Sequence, residues 1–564
     1  MASLSLKKSD LLNLRTQIYQ YDKESATRKL SMLRRNSNHR ISTASMLMKY
    51  QEMLLFLLAY PDSELVHSQA TSEIERINKL SKIILSKTSQ KGEVTFAGSG
   101  LESSYFIGSF SHAISKWLLN NFPECTSFHS FGDSMASVQE LLGMSLLPSE
   151  TWLLENFGLP VNRWINKSSG VKSNDSLAWI LNSMEHPEIS PALFDLLFDQ
   201  LQLYISFKVD KMNAQAFLRA PCGKTYYHES GLVKKVDLNQ ILRRSIGRPL
   251  KLTIEQRTEY IRIARFTLLH LSRETDPISY CSEEGIEVFD LDRGFSIALF
   301  YLPLERRNPL DSYIGYMIFK NRIPCGYGGA WVFGNKAKIG LNIFPAFRGG
   351  ESAFLFSQIL KTYKRRFNLR YFEAEPYQIG FENPEGIKSG AFWFYYKLGF
   401  RPHQKDLFDL AHKEYTAIKL DPKYKTPHDK LKTLSNSMMF LDTIRSHEKL
   451  TELLPDTINT SQVISALIAD RFEGDRKLAL IFFKTEIRRK SGISSASFKN
   501  QIDKKSYNLL VPLIYLLTKK NSITKKEKNA LLQLISSKGE STEYNYTRYA
   551  SKFQSRLQKI MRKV

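Results

Sequence analysis

Cysteine is scarce in this chain. Four residues, Cys125, Cys222, Cys281 and Cys325, are scattered over 564 positions with neither a paired pattern nor metal-ligand spacing. That argues against a disulfide framework and against a thiolate metal centre, and fits reduced thiols in a cytoplasmic protein that needs no metal. Long apolar runs are also missing. The runs at 53–58 and 509–517 fall short of the roughly 20 residues needed to span a bilayer. Residues 1–40 are polar and build no apolar stretch of the kind a signal peptide requires, so a soluble protein is expected. A phosphate-binding P-loop is lacking as well. Cys222-Gly223-Lys224-Thr225 resembles its end, but Leu218 stands where the motif needs glycine, and no apolar strand leads into it. Tyr226, Tyr227 and His228 follow in what reads as a turn.

Acidic residues are outnumbered. The net charge is +24 and the pI about 9.6, which either attracts a polyanion such as tRNA, DNA or an anionic membrane or reflects a merely basic composition. The length implies two to four domains, and 42% hydrophobic with 12% aromatic residues describes a globular chain. Residues 1–40 form a basic segment with a partial helical stripe through Leu11, Leu12, Leu14, Ile18 and Tyr19. Residues 41–210 read as a helical domain, with helices expected at 46–59, 71–85, 109–120, 138–142 and 176–184. Turn signals separate them at Pro61-Asp62, Phe122-Pro123 and Leu159-Pro160. No nucleophile–base set stands out there. A connecting helical segment occupies 211–278, with an amphipathic helix over 250–273. The last region, 421–564, holds about 28 Lys plus Arg against about 14 Asp plus Glu and reads as a basic helical domain. Its helices are expected at 431–444, 463–472, 478–487, 507–517 and 530–535. Lys519-Lys520, Lys525-Lys526 and Arg562-Lys563 are its basic clusters.

Between these regions, 279–420 changes character. Short aromatic-rich runs at 286–292, 295–302, 311–319, 322–324, 327–333 and 338–344 predict a strand meander. A turn follows, Pro345-Ala346-Phe347-Arg348-Gly349-Gly350, and then a helix starting at Glu351-Ser352-Ala353. A strand is expected over 371–375 and a second helix over 389–397, stopped by Leu398-Gly399-Phe400. A final strand pair would join 400–403 to 407–410 or 414–420. Strand, glycine turn and helix in that order can build an anion site, because glycine admits close backbone approach and the first helical turn presents free N–H groups. Glu373 and Glu375 lie two apart on a strand and share one face, which makes them candidate bases.

Two stretches carry a family resemblance. Arg348-Gly349-Gly350-Glu351-Ser352-Ala353 resembles the acyl-CoA motif of the GNAT N-acyltransferase superfamily, with glutamate at a position usually held by glycine. Asn383 followed by Ser389 to Phe400 is similar to the family's Asn…Ala-x-x-x-Tyr-x-x-Leu-Gly-Phe signature. The resemblance implies an α/β domain with a mixed, mainly antiparallel central sheet and helices, here flanked by mainly α-helical N- and C-terminal regions. It implies acyl transfer from acetyl-CoA or another acyl-CoA to an amine acceptor of unknown identity. The pyrophosphate would lie on Gly349, Gly350 and Ser352, with Arg348, Ala353 and Asn383 nearby. A backbone amide from Ile343 or Phe344 would polarise the thioester carbonyl, and Tyr395 would protonate the thiolate. Two alternatives stay open. A related fold in aminoacyl-tRNA-dependent ligases takes a charged tRNA as donor, towards which Glu351 and the basic C-terminus lean, although that family usually carries two such domains. The other alternative is a non-catalytic binding or scaffold module.

Overall fold

The structure is a computed structural model and describes residues 5–41, 43–86, 96–133, 138–143, 146–147, 149–150, 160–169, 176–185, 190–445, 456–519 and 523–561. Leu159, Lys520, Arg562 and Lys563, named above in a turn and in basic clusters, lie outside them.

Beta-branched and aromatic residues concentrate in the middle of the chain, and there the main sheet forms. Strands β1 (Tyr105–Ser109), β2 (Thr126–Phe131) and β3 (Leu203–Lys208) precede it and make a separate antiparallel sheet in the order β1-β3-β2. The region over 41–210 is therefore not purely helical as its sequence predicts. Each of these strands is five or six residues long and finds its partner across a large sequence gap, which local periodicity does not report.

The main sheet comprises β4 (Ile286–Asp290), β5 (Phe295–Tyr301), β6 (Ser312–Lys320), β7 (Ile323–Phe333), β8 (Lys336–Ile339), β9 (Asn342–Ile343), β10 (Tyr371–Ala374), β11 (Arg401–Pro402) and β12 (Met439–Asp442). Its order is β11-β12-β10-β8-β7-β6-β5-β4, with β9 also on β7. The chain is thus a mixed α/β protein with mostly antiparallel sheets; in the main sheet the β8–β10 pair is parallel and the other described pairs are antiparallel. The β6–β7 hairpin turns through Asn321 (φ 47°) and Arg322 (φ 70°), the two left-handed residues of a type I′ turn. A helix, Ser352–Phe367, connects β9 to β10 and stops at left-handed Asn368.

Two expectations near the end of this region need correction. Residues 405–420 form a helix, Lys405–Leu420, and not a closing strand. Leu407, Leu410, Ala411, Tyr415 and Ile418 recur at helical spacing, so one face of it packs inward. The partner of β11 is instead β12, which inserts between β11 and β10 from a stretch that reads as the end of a helix over 431–444.

The core explains the attachment of the flanks. Leu14, Leu47, Phe56 and Tyr60 of the N-terminal helices share one apolar cluster with Val288, Ile297, Ile318 and Phe356 of the sheet region. The C-terminal helices form a second cluster around Phe483, Leu510, Ile514 and Leu534, which reaches the sheet through Leu310 and Phe333. A third cluster, with Trp164, Ile180, Phe198 and Ile205, backs the small sheet. Among the described residues no helix is long and apolar enough to cross a membrane.

Candidate functional site

The parallel pair sets the site's geometry. Strands β8 and β10 stay in register for three residues, Tyr371 with Lys336, Phe372 with Ala337 and Glu373 with Lys338, and then part. Past Ile339 the chain bends at Gly340-Leu341 and continues as β9, which pairs with β7 but not with β10. The N–H groups of Gly340 and Phe344 donate to the Gly329 and Cys325 carbonyls of β7, at 3.2 and 3.1 Å. Side alternation along an extended strand then turns the Ile343 amide away from β7, towards the gap. Phe344, also expected to face a thioester, spends its amide on β7. Gln378 borders the gap, since a Cβ on Gly340 would lie 2.9 Å from its Nε2.

Tyrosines lie beneath this parting. The Tyr316 hydroxyl donates to the Gly340 carbonyl at 2.6 Å. Burial raises its pKa well above the ordinary phenol value, and the neighbouring hydroxyls of Tyr363, Tyr395 and Tyr327 raise it further. Tyr395 is itself buried against Phe356, Phe394 and Phe400, and burial holds its pKa up. Both groups therefore stay protonated at neutral pH and can donate.

The glycine turn is occupied by the protein. A Cβ on Gly349 would stand 2.5 Å from the Tyr19 ring, and one on Gly350 would stand 2.6 Å from the Tyr60 ring and hydroxyl. Lys234 Nζ donates to the carbonyls of both Gly349 and Gly350. Arg348 turns back to donate from Nε to the Ile343 carbonyl at 3.2 Å. Ser352 and Ala353 open the helix half-buried. The turn needs glycine because protein rings press on it, and those rings fill the space where the resemblance puts phosphate.

Glu351, the departure from the motif, is fully buried and has its own partners. Its Oε1 accepts from Arg293 Nε at 2.9 Å and from the Val233 N–H at 2.8 Å, while Oε2 accepts from Lys320 Nζ at 3.3 Å. His228 Nδ1 lies 4.0 Å from Oε1 and takes an N–H from Arg293 at 3.1 Å. A guanidinium can only donate, so Nδ1 is the acceptor and the ring is neutral. Burial first, then Lys320 and Arg293, push the His228 pKa down to about 2. Burial lowers Lys320 to about 8 against the pull of Glu351. Four titratable groups from four segments thus lock the turn to the loop around His228 and to the ends of β4 and β6.

The paired carboxylates differ. Glu373 is buried and accepts from Lys336 Nζ at 2.6 Å, while its Oε2 has no hydrogen-bond partner among the described residues. Glu375 accepts from Lys338 at 3.0 Å with 45% of its side chain exposed. Both line a cleft of about 260 Å³ with Asp311, Trp331, Lys336, Lys338 and Asp456. Asn383 is occupied as a helix cap: its Oδ1 accepts from Gly386 N–H and its Nδ2 donates to the Tyr377 carbonyl, both at 3.0 Å. Sequence reasoning missed Tyr60, Lys234, Arg293, Lys320 and the polar role of His228. The one local signal for them was the anomalous glutamate at 351. Among the described residues no group of three or more His, Cys, Asp or Glu could hold a metal ion. No protein family, curated protein or solved structure matches this chain.

Proposed function

We propose that the protein transfers an acyl group to an amine at the parting of β9 from β10. The observation that carries this reading is the Ile343 amide, turned into the gap between two parallel strands that pair for only three residues. An acyl carbonyl held there would develop its oxyanion against that N–H. The amine nitrogen attacks the carbonyl carbon, the C–N bond forms, and the bond to the thiolate or alkoxide breaks. Tyr395 gives the leaving group its proton. The amine's proton goes to Glu375, directly or through water, because Glu375 reaches solvent while Glu373 is sealed by Lys336. The cleft bounded by Trp331, Glu373 and Glu375 admits the acceptor. Alignment supplies much of the rate when the donor is already activated.

A specific observation bears on the donor. Tyr19 covers Gly349 and Tyr60 covers Gly350, so the diphosphate of an acyl-CoA has no cradle on this turn. That favours the second reading, an aminoacyl-tRNA donor held by the basic surface, over acyl-CoA. The test incubates the purified chain with acetyl-CoA, longer acyl-CoAs or aminoacyl-tRNA, in the presence of a panel of amines. Acylated amine is followed by mass spectrometry and donor binding by calorimetry. Turnover of charged tRNA without acyl-CoA binding is the expected result. Binding of neither donor, at low or at moderate salt, overturns the acyl-transfer reading and leaves a scaffold.

A further inference from the structure

A second cleft, of about 320 Å³, opens between the helices Lys8–Gln17 and Ala44–Ala59 and is closed at one end by Pro345 and Ala346. Its lining follows helical spacing on both sides. Lys8, Leu11, Leu12 and Arg15 form one face of the first helix, and Ser45, Met46, Lys49, Glu52 and Met53 form one face of the second. The floor is apolar: Leu11, Ile18 and Met53 are buried, and Leu12 stands 54% exposed above them. The rim is cationic, with Lys8, Arg15 and Lys49 against the single carboxylate of Glu52. None of these three cations forms an ion pair within 4 Å among the described residues. Partial desolvation raises the Glu52 pKa while Arg15 and Lys49 pull it down, so the carboxylate is itself balanced by the two cations beside it. The first turn of the second helix, capped by Thr43, also faces the cleft with the positive end of its dipole.

We propose that this cleft binds a single-chain anionic amphiphile, with the carboxylate or phosphate head between Arg15 and Lys49 and the chain over Leu11, Leu12, Met46 and Met53. The volume equals that of about ten water molecules at ~30 Å³ each, and the open side lets a longer tail emerge. Neither half of the lining explains the other: a purely electrostatic site has no use for an apolar floor, and an apolar groove has no use for a rim of one sign. The inference is independent of the acyl-transfer reading, since none of its residues belongs to the gap beside β9.

The experiment titrates the full chain by calorimetry with decanoate, decyl phosphate, decylammonium and inorganic phosphate, each below its micelle concentration. Decanoate and decyl phosphate are expected to bind, inorganic phosphate at least tenfold more weakly, and decylammonium not at all. The double variant Arg15→Glu/Lys49→Glu is expected to lose at least tenfold in affinity for both anions. Equal binding of decylammonium, or inorganic phosphate as tight as decyl phosphate, overturns the proposal. Undiminished anion affinity in a double variant with an unchanged thermal midpoint does the same. If the double variant fails to fold, Ser45→Trp serves instead, at an exposed position on the cleft wall. Decanoate should shift its emission to the blue and decylammonium should not, and an emission indifferent to both overturns the site.

Discussion

Glu351 Oε1 accepts the Nε–H of Arg293 at 2.9 Å, across 58 residues of chain. The same carboxylate holds Lys320 and the Val233 amide, so its removal strands the buried Lys320 ammonium together with the half-buried Arg293 guanidinium and Val233 N–H. Glu351→Gly, which puts glycine at the position where the resembled motif carries it, is therefore expected to destabilise the protein by about 3–5 kcal/mol, the cost of leaving a buried charge uncompensated. Denaturant unfolding measures it. A loss below 1 kcal/mol, or a gain in acyl-CoA binding, contradicts this view of the turn.

His228 gives the cluster a pH signature. Its folded pKa is about 2, against 6.5 for an ordinary histidine. Between these values the unfolded chain binds a proton that the native state excludes, so stability is complete above pH 6.5 and falls as pH drops through that window. The slope from this one group approaches ~1.4 kcal/mol per pH unit. Unfolding free energies at pH 7 and pH 5 should differ less in His228→Asn, whose amide oxygen can still accept from Arg293. Equal pH slopes in the two proteins would exclude the assignment.

Lys320 acts at the other end of the scale. Held at about 8 against 10.5, its ammonium deprotonates in the native state before it does so in the unfolded chain. Its contribution therefore makes stability rise with pH between 8 and 10.5. A Lys320→Met variant should lack this rise, read as the change in urea midpoint between pH 8 and pH 10.

The two Lys–Glu pairs at the cleft have unequal worth. Lys336 and Glu373 are sealed, at 8% and 2% side-chain exposure, whereas Lys338 and Glu375 stand at 29% and 45%. Lys336→Met should cost about 3 kcal/mol or more by leaving Glu373 charged and buried. Lys338→Met should cost at most about 1 kcal/mol. Urea unfolding of both variants checks the order, and equal losses would refute it.

Tyr395→Phe isolates chemistry from packing. The ring stays among Phe356, Phe394 and Phe400, and only the hydroxyl is lost. The acyl-transfer rate is expected to fall about 10²–10⁴-fold, with a thermal midpoint close to that of the parent. An undiminished rate assigns the proton to another group, Tyr316 first.

Much of the strand meander was readable because each of its runs is aromatic or beta-branched and bounded by turn residues. The runs at 286–292, 295–302, 311–319 and 327–333 correspond to β4 through β7. The helices Ala44–Ala59, Arg476–Ser491 and Gln501–Thr518 announced themselves by apolar spacing, whereas the helix Pro384–Ser389 that Asn383 caps did not. Nor did β12. It is four residues long and owes its state to the gap between β11 and β10, from which it is separated by many residues.

The candidate site divides in the same way. Residue order alone fixed a strand, a glycine turn, a helix and a tyrosine on a buried aromatic helix, since these follow from short-range sterics and periodicity. What fills the turn was decided only in three dimensions. Tyr19 and Tyr60 arrive from just past the ends of two helices, about 330 and 290 residues earlier in the chain, and Lys234, Arg293 and Lys320 come from three further segments. Glycine permits close approach but does not specify what approaches. A buried carboxylate acquires its meaning from the charges that burial forces around it, and those belong to the tertiary fold.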